Sequence, residues 1–269
     1  MSGTSVALST SSCYPEGVAS AFEQAARLGY DGVEVMVWRE PATQDVDALR
    51  DLVQTHQVPV LSVHAPTLLL TQRVWGRQPW GKVDRSVEMA QALGAPVIVV
   101  HPPFRWQTRY ARGFVDGVAA RQRETDVKIS IENMFPWKAR AQDDGRAVKE
   151  RAAYLPHWNP VPLDYANVTL DLSHAGISGL DALAAARALG PRLAHVHLTD
   201  STGSNRDEHL VPGRGTQPCA ELLAELGPLG FTGSVAVEVT TRRLTPQERE
   251  EALAGSLTFA RQHLGARTP

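Results

Sequence analysis

A succession of short apolar runs in this sequence ends on side chains that can carry charge or hold a metal. Glu34 sits in GVEV, His64 in SVHAP, His101 in VVHPP, Glu132 in SIENM, Asp171 and His174 in LDLSHAG, His197 in HVHLTD, and Glu238 in AVEV. The stretch 192–215 adds Asp207 and His209 ahead of a Gly213-x-Gly215 turn. A carboxylate that closes an apolar strand must be paired or bound to a cation, because stripping its water is costly. Carboxylates mixed with imidazoles suit Zn2+, Mn2+, Co2+ or Fe2+. Any one of these histidines alone would read as an ordinary core or rim residue; their repetition at strand ends points to a divalent metal centre.

His195 and His197 are two apart and so share one face of a strand. His197, nearer the loop, is the expected ligand, and His195 a supporting core group. Glu34 is expected to support the site rather than ligate. Asp200 has two readings, orienting a neighbouring imidazole or capping the loop. His56, His157 and His263 fall in helices or irregular segments and look incidental.

The elements that must position these groups are punctuated by a repeated join, a helix ending in Leu-Gly before an apolar strand. It occurs at Leu28-Gly29, Leu93-Gly94, Leu189-Gly190 and Leu229-Gly230. Glycine suits the left-handed residue that closes a helix, and near-continuous Val, Ile and Leu read as strands buried on both faces. Strands are expected at 6–9, 32–37, 60–64, 96–100, 127–132, 168–171, 193–197 and 234–239. Helical periodicity covers 16–28, 46–56, 82–93, 113–123, 179–189, 218–226 and 246–263, with one further helix near 145–154. Eight strands alternating with helices predict an α/β chain folded as a single (β/α)8 TIM barrel spanning 1–269. VALSTSSCYPEG after the first strand is not a G-x-G-x-x-G fingerprint, which disfavours a dinucleotide fold.

Composition narrows the function classes. Lys and Arg number 27 against 29 Asp and Glu, a formal net charge of −2, which supplies no general pull toward nucleic acid or membrane. Cys13 and Cys219 are the two cysteines, too few for a disulfide scaffold or thiolate cluster, and a reducing cytoplasm fits. The opening MSGTSVALSTSS has no basic start or long apolar run, so no secretory leader is expected, and no run is long enough to span a bilayer.

These residues resemble the xylose-isomerase-like TIM-barrel superfamily, which includes the endonuclease IV type of abasic-site nuclease (AP endonuclease family 2) and many sugar or sugar-phosphate isomerases and epimerases. The resemblance covers nearly the whole chain. Its shared metal core, a Glu, an Asp, a His and a Glu ending strands five to eight, matches Glu132, Asp171, His197 and Glu238. His64, His101, His174, Asp207 and His209 match the additional ligands of the trinuclear nuclease branch, and VPGRG looks like the glycine turn found in both branches. HPPF in place of His-Pro-Gly, the lack of a Gly-Ala-His opening and the run into MFPWK depart from the nuclease in its loops.

The resemblance implies a divalent-metal-dependent isomerase or epimerase of a small sugar, sugar phosphate or polyol. The ion, Zn2+ or Mn2+, would polarise a carbonyl and acidify the neighbouring C–H. Glu132 and Glu238 would act as base and acid, while His64, His101 and His174 hold substrate hydroxyls. Arg214, or Lys138 or Arg140, is the candidate for a substrate phosphate, although a solvated charge is the commoner role for each. The alternative is a zinc-dependent phosphodiester hydrolase in which all nine ligands hold two or three ions and abasic DNA is the partner. Trp75, Arg77, Trp80 and Arg105-Trp106 are the best fragments for a DNA backbone, and they form no convincing stripe. A metal or metabolite sensor is a third reading without specific support. Specificity is expected to reside in 67–82 and 133–160.

Overall fold

The computed structural model describes residues 4–67, 69–138, 150–151 and 153–265. The first half runs β1 (Ser5–Ser9), α1 (Val18–Leu28), β2 (Gly32–Met36), α2 (Val46–His56), β3 (Val60–His64), α3 (Pro79–Leu93), β4 (Val97–Val100), α4 (Thr108–Ala111), α5 (Phe114–Gln122) and β5 (Lys128–Glu132). A two-stranded excursion, β6 (Trp137–Lys138) and β7 (Glu150–Arg151), precedes β8 (Asn167–Asp171), α6 (Leu172–Ser178), α7 (Ala182–Leu189), β9 (Leu193–Leu198), α8 (Cys219–Leu226), β10 (Ser234–Val237) and α9 (Pro246–His263).

Eight parallel strands close into a barrel in the order β1-β10-β9-β8-β5-β4-β3-β2. The seam is made by β1 on β10, with Ser5 opposite Ser234 and Leu8 opposite Val237. Val, Ile and Leu dominate the strands and are buried, with helices covering the outer face. The Leu-Gly joins work as expected at Gly29 and Gly94, which take φ of 84° and 72° and return their N–H to the last helical turn. No helix among the described residues is long and apolar enough to cross a membrane.

Three expected elements differ. The helix near 145–154 is contradicted at 150–151, which pair antiparallel with β6, while 139–149 and 152 lie outside the described residues. The helix expected at 179–189 begins at Ala182, because Gly179 takes φ 73° and closes the preceding α6 before Asp181 caps α7. The helix expected from 82 begins at Pro79, whose fixed φ and missing N–H suit a first turn.

The barrel interior beneath the mouth is polar. Glu34 accepts from Ser62 Oγ at 2.8 Å and lies 2.9 Å from His195 Nε2, while His195 Nδ1 is 3.0 Å from Ser234 Oγ. Ser130 and Thr169 hydroxyls meet at 2.7 Å. These side chains replace the branched apolar layers usual in such barrels and hydrogen-bond one another, with Glu34 Oε1 left to face His197.

Candidate metal centre

Strand parity lifts the next layer of side chains to the mouth. Three carboxylates converge on one ring nitrogen: His197 Nδ1 is 3.1 Å from Glu132 Oε1, 3.1 Å from Glu238 Oε2 and 3.6 Å from Asp171 Oδ2. All four residues are buried. His197 Nε2 faces Glu34 at 3.2 Å, so the groups expected to support the site, Glu34 and His195, lie directly below it.

Two further groups extend the centre. Glu132 Oε2 is 2.7 Å from His101 Nε2 and 3.3 Å from His64 Nε2. On the other side, His174 Nε2 and His209 Nε2 meet the two oxygens of Asp207 at 3.4 and 2.9 Å. Donor atoms of Glu132, Asp171 and His197 all lie within 4.8 Å of one another, as do those of His64, His101 and Glu132, and those of Asp171, His174 and His209. Asp171 Oδ2 is buried without a hydrogen-bond partner among the described residues. Clustered buried carboxylates with an unsatisfied oxygen fit a divalent cation in both charge and donor type.

Several supporting residues were not legible as such. Asn133, next after Glu132, donates its Nδ2 to the Asp171 carbonyl at 3.0 Å and accepts from Asp171 N at 2.7 Å. Its own carbonyl lies 2.9 Å from His174 Nδ1. Asp171 also accepts from His174 N at 2.7 Å, capping α6, so His174 is carried by a helix rather than a loop. Ser11 donates to Glu238 at 3.3 Å and Ser173 to Asp207 at 3.2 Å. Asp200 proves to be the loop's cap: its carboxylate accepts from the backbone N–H of Ser201, Gly213, Gly215 and Gln217 at 2.7–3.0 Å. An antiparallel bridge from Asp200 to Leu210 then brings Asp207 and His209 back over the mouth. Arg214 is exposed in that turn and has no hydrogen bond or ion pair to the cluster among the described residues, Lys138 sits on β6, and Arg140 lies outside the described residues.

Electrostatics follow from this crowding. Burial opposes a charge on His197, yet Glu34, Glu238 and Glu132 outweigh it and hold the ring well above the usual imidazole range. His174 is raised likewise by Asp171 and Asp207 against its burial, and His209, beside Asp207, is raised to about 10. Burial disfavours a charged Glu132, but His101 and His197 carry it well below the carboxylate range, whereas for Glu238 burial prevails and pushes it up. In the metal-free protein these histidines therefore hold protons at neutral pH that a cation must displace. Adding Zn2+ or Mn2+ to metal-free protein at pH 7 is expected to release protons, measurable with an indicator dye in weak buffer. Release should diminish as pH rises through about 10, where His209 gives up its own proton, and its absence at pH 7 would show the imidazoles already neutral. The stability contributed by His209 is correspondingly complete below its ordinary value of 6.5 and lost as pH rises toward about 10.

Two cavities adjoin the centre. One of about 610 Å3 includes Glu238, His209, Tyr14, Trp38 and Arg242 in its wall; the other, of about 420 Å3, lies against His101.

The chain is 51% identical over 272 residues to an uncharacterized protein of Mycobacterium tuberculosis, covering 96% of this chain and 97% of the other. It is 24% identical over 241 residues to fructoselysine 3-epimerase of Escherichia coli O157:H7, covering 82% and 85%. The crystal structure of D-psicose 3-epimerase from Clostridium cellulolyticum H10 superposes with a TM-score of 0.68 at 16% identity, over 97% of this chain and 99% of that one. A xylose isomerase-like TIM barrel family model matches residues 22–263, from the first helix to the last. With a closed parallel barrel carrying its ionisable side chains at the strand ends, the chain belongs to the xylose isomerase-like TIM-barrel family.

Proposed function

We propose that this protein is a divalent-metal-dependent epimerase or isomerase of a small sugar or sugar derivative. The observation that carries the reading is the pairing of Glu132 and Glu238 on one nitrogen of His197, at the mouth of a cavity of about 610 Å3. Glu132, Asp171, His197 and Glu238 would hold the ion, which when bound supplies a Lewis acid that polarises the substrate carbonyl and acidifies the adjacent C–H. One of the two glutamates takes the proton from that carbon and the other returns a proton, to the opposite face in an epimerase. Ser11 steadies Glu238, and Tyr14 and Trp38 in the cavity wall offer flat faces to the sugar's C–H surface. In this reading His64, His101 and His174 would exchange protein partners for substrate hydroxyls. The relationship to fructoselysine 3-epimerase supports the same class of chemistry.

A second reading is favoured by one observation, the two further donor groups built on His64 and His101 and on His174 and His209. Together with Asp207 they would give a trinuclear zinc phosphodiesterase of the endonuclease IV type, acting on abasic DNA. The deciding experiment pairs metal analysis of protein purified without chelator with two assays, deuterium uptake from D2O into a ketose and cleavage of abasic duplex DNA. About one metal per chain with deuterium uptake is the expected result. About three zinc ions per chain with DNA cleavage would replace the epimerase reading by the second one.

A further inference from the structure

The cavity beside His101 differs in chemistry from the one beside Glu238. Its wall includes Arg77 and Lys82 and no aspartate or glutamate. Lys82 is only 4% exposed, and its Nζ donates to the carbonyls of Pro66 and Thr71 at 3.0 and 2.6 Å. These carbonyls take two of its three protons, no carboxylate pairs with it among the described residues, and burial pushes its pKa down to about 8. Arg77 is exposed and has no carboxylate partner among the described residues.

Two buried groups in the same wall keep hydrogen-bonding capacity in hand. The ring of Tyr110 packs edge-on against Trp80 and Phe114, with centroids at 4.8 and 5.2 Å. Tyr110 is 8% exposed, and its hydroxyl has no partner among the described residues. His101 commits Nε2 to Glu132, and its Nδ1 is likewise unpartnered. A buried group that makes no hydrogen bond is costly to the fold. Two such groups beside these two cations describe a site shaped for an acceptor bearing negative charge.

We propose that this cavity binds an anionic group, a phosphate or a carboxylate, carried by the sugar substrate, so that the enzyme acts on an acidic sugar. The anion site stands on the cavity itself; only its service as a substrate subsite rests on the epimerase reading above. His101 forms the partition between the cavity and Glu132, which sets the anion one imidazole away from the carboxylate that handles the proton. Arg77, Lys82 and the Tyr110 hydroxyl thus take the phosphate-binding role for which Arg214 was a sequence candidate.

The test uses metal-loaded protein as purified and inorganic phosphate as the probe, by titration calorimetry. Binding to the wild type is expected to weaken about tenfold or more in an Arg77→Ala, Tyr110→Phe double variant, which removes one charged and one neutral donor. Glu238→Gln should leave it unchanged. Neither pocket substitution removes a buried apolar contact, and an unaltered melting curve checks that the double variant folds. Loss of phosphate in Glu238→Gln but not in the double variant would place the anion on the metal centre and overturn the proposal, as would no binding to the wild type. In a second arm, a ketose phosphate and a ketose carboxylate are compared with the neutral parent ketose. At least one charged sugar should be preferred by about tenfold or more in kcat/KM, the better of the two identifying the anion, with the preference lost through KM in the double variant. Equal turnover of charged and neutral sugars would remove the subsite role. Phosphate binding without turnover of any sugar would refute the epimerase reading and leave the anion site standing.

Discussion

Glu238→Gln is expected to lower turnover by about a thousandfold or more in a barrel that still folds. Glutamine keeps the shape and an oxygen for Ser11, which donates to Glu238 Oε1 at 3.3 Å. It cannot accept a carbon-bound proton, and it removes one of the three negative charges gathered at His197 Nδ1. Residue 238 lies just past β10, whose pairing with β1 and β9 is made by the backbone and does not depend on this side chain. Deuterium exchange into substrate, read beside a thermal melt, separates the two effects. Activity within about tenfold of wild type would take Glu238 out of the proton-transfer role.

Asp200→Ala should cost about 3 kcal/mol of stability or more, the largest effect expected from a residue outside the metal centre. One buried carboxylate answers four backbone N–H groups, and alanine leaves those of Ser201, Gly213, Gly215 and Gln217 to find other partners. Gly215 shows how close the fit is, since a Cβ there would come within 2.3 Å of Asp200 Oδ1 and 2.5 Å of the Ser201 carbonyl. The loop so released carries Asp207 and His209, so the outer donor group should be lost while Glu132, Asp171 and His197, held by strands, stay in place. Chemical denaturation measures the first effect and metal affinity the second; a stability loss under about 0.5 kcal/mol would mean that water replaces Asp200 as the cap.

These two residues mark the limit of what could be read from the sequence. The barrel was legible because its signals are local: a helix-closing glycine, then an apolar run, repeated. The gathering of Glu132, Asp171, His197 and Glu238 was legible because parallel strands deliver their last residues to one face. The destinations of polar side chains were not, because they depend on partners far along the chain. Asp200 reads equally well as orienting an imidazole until Gly213, Gly215 and Gln217 are folded back onto it. Asn133 carries no motif, yet ties β5 to β8 through both ends of its amide. Lys82 reads only as the start of a helix, and the return of the loop at Pro66 and Thr71 gives its ammonium buried partners. The strand at 150–151 needed its pairing with β6 to exist at all.

The seam between β1 and β10 has a consequence for assembly. Glu238 stands just past the last strand and is met by Ser11, 227 residues earlier, from the turn that follows the first. A chain that has formed every strand but the last already gathers His64, His101 and Glu132, yet lacks Glu238, the second carboxylate of the proposed proton transfer. Such a long-range contact is the slow part of building a parallel barrel. Regain of activity on refolding therefore times the shutting of that seam, while recovery of helix reports only on the segments between.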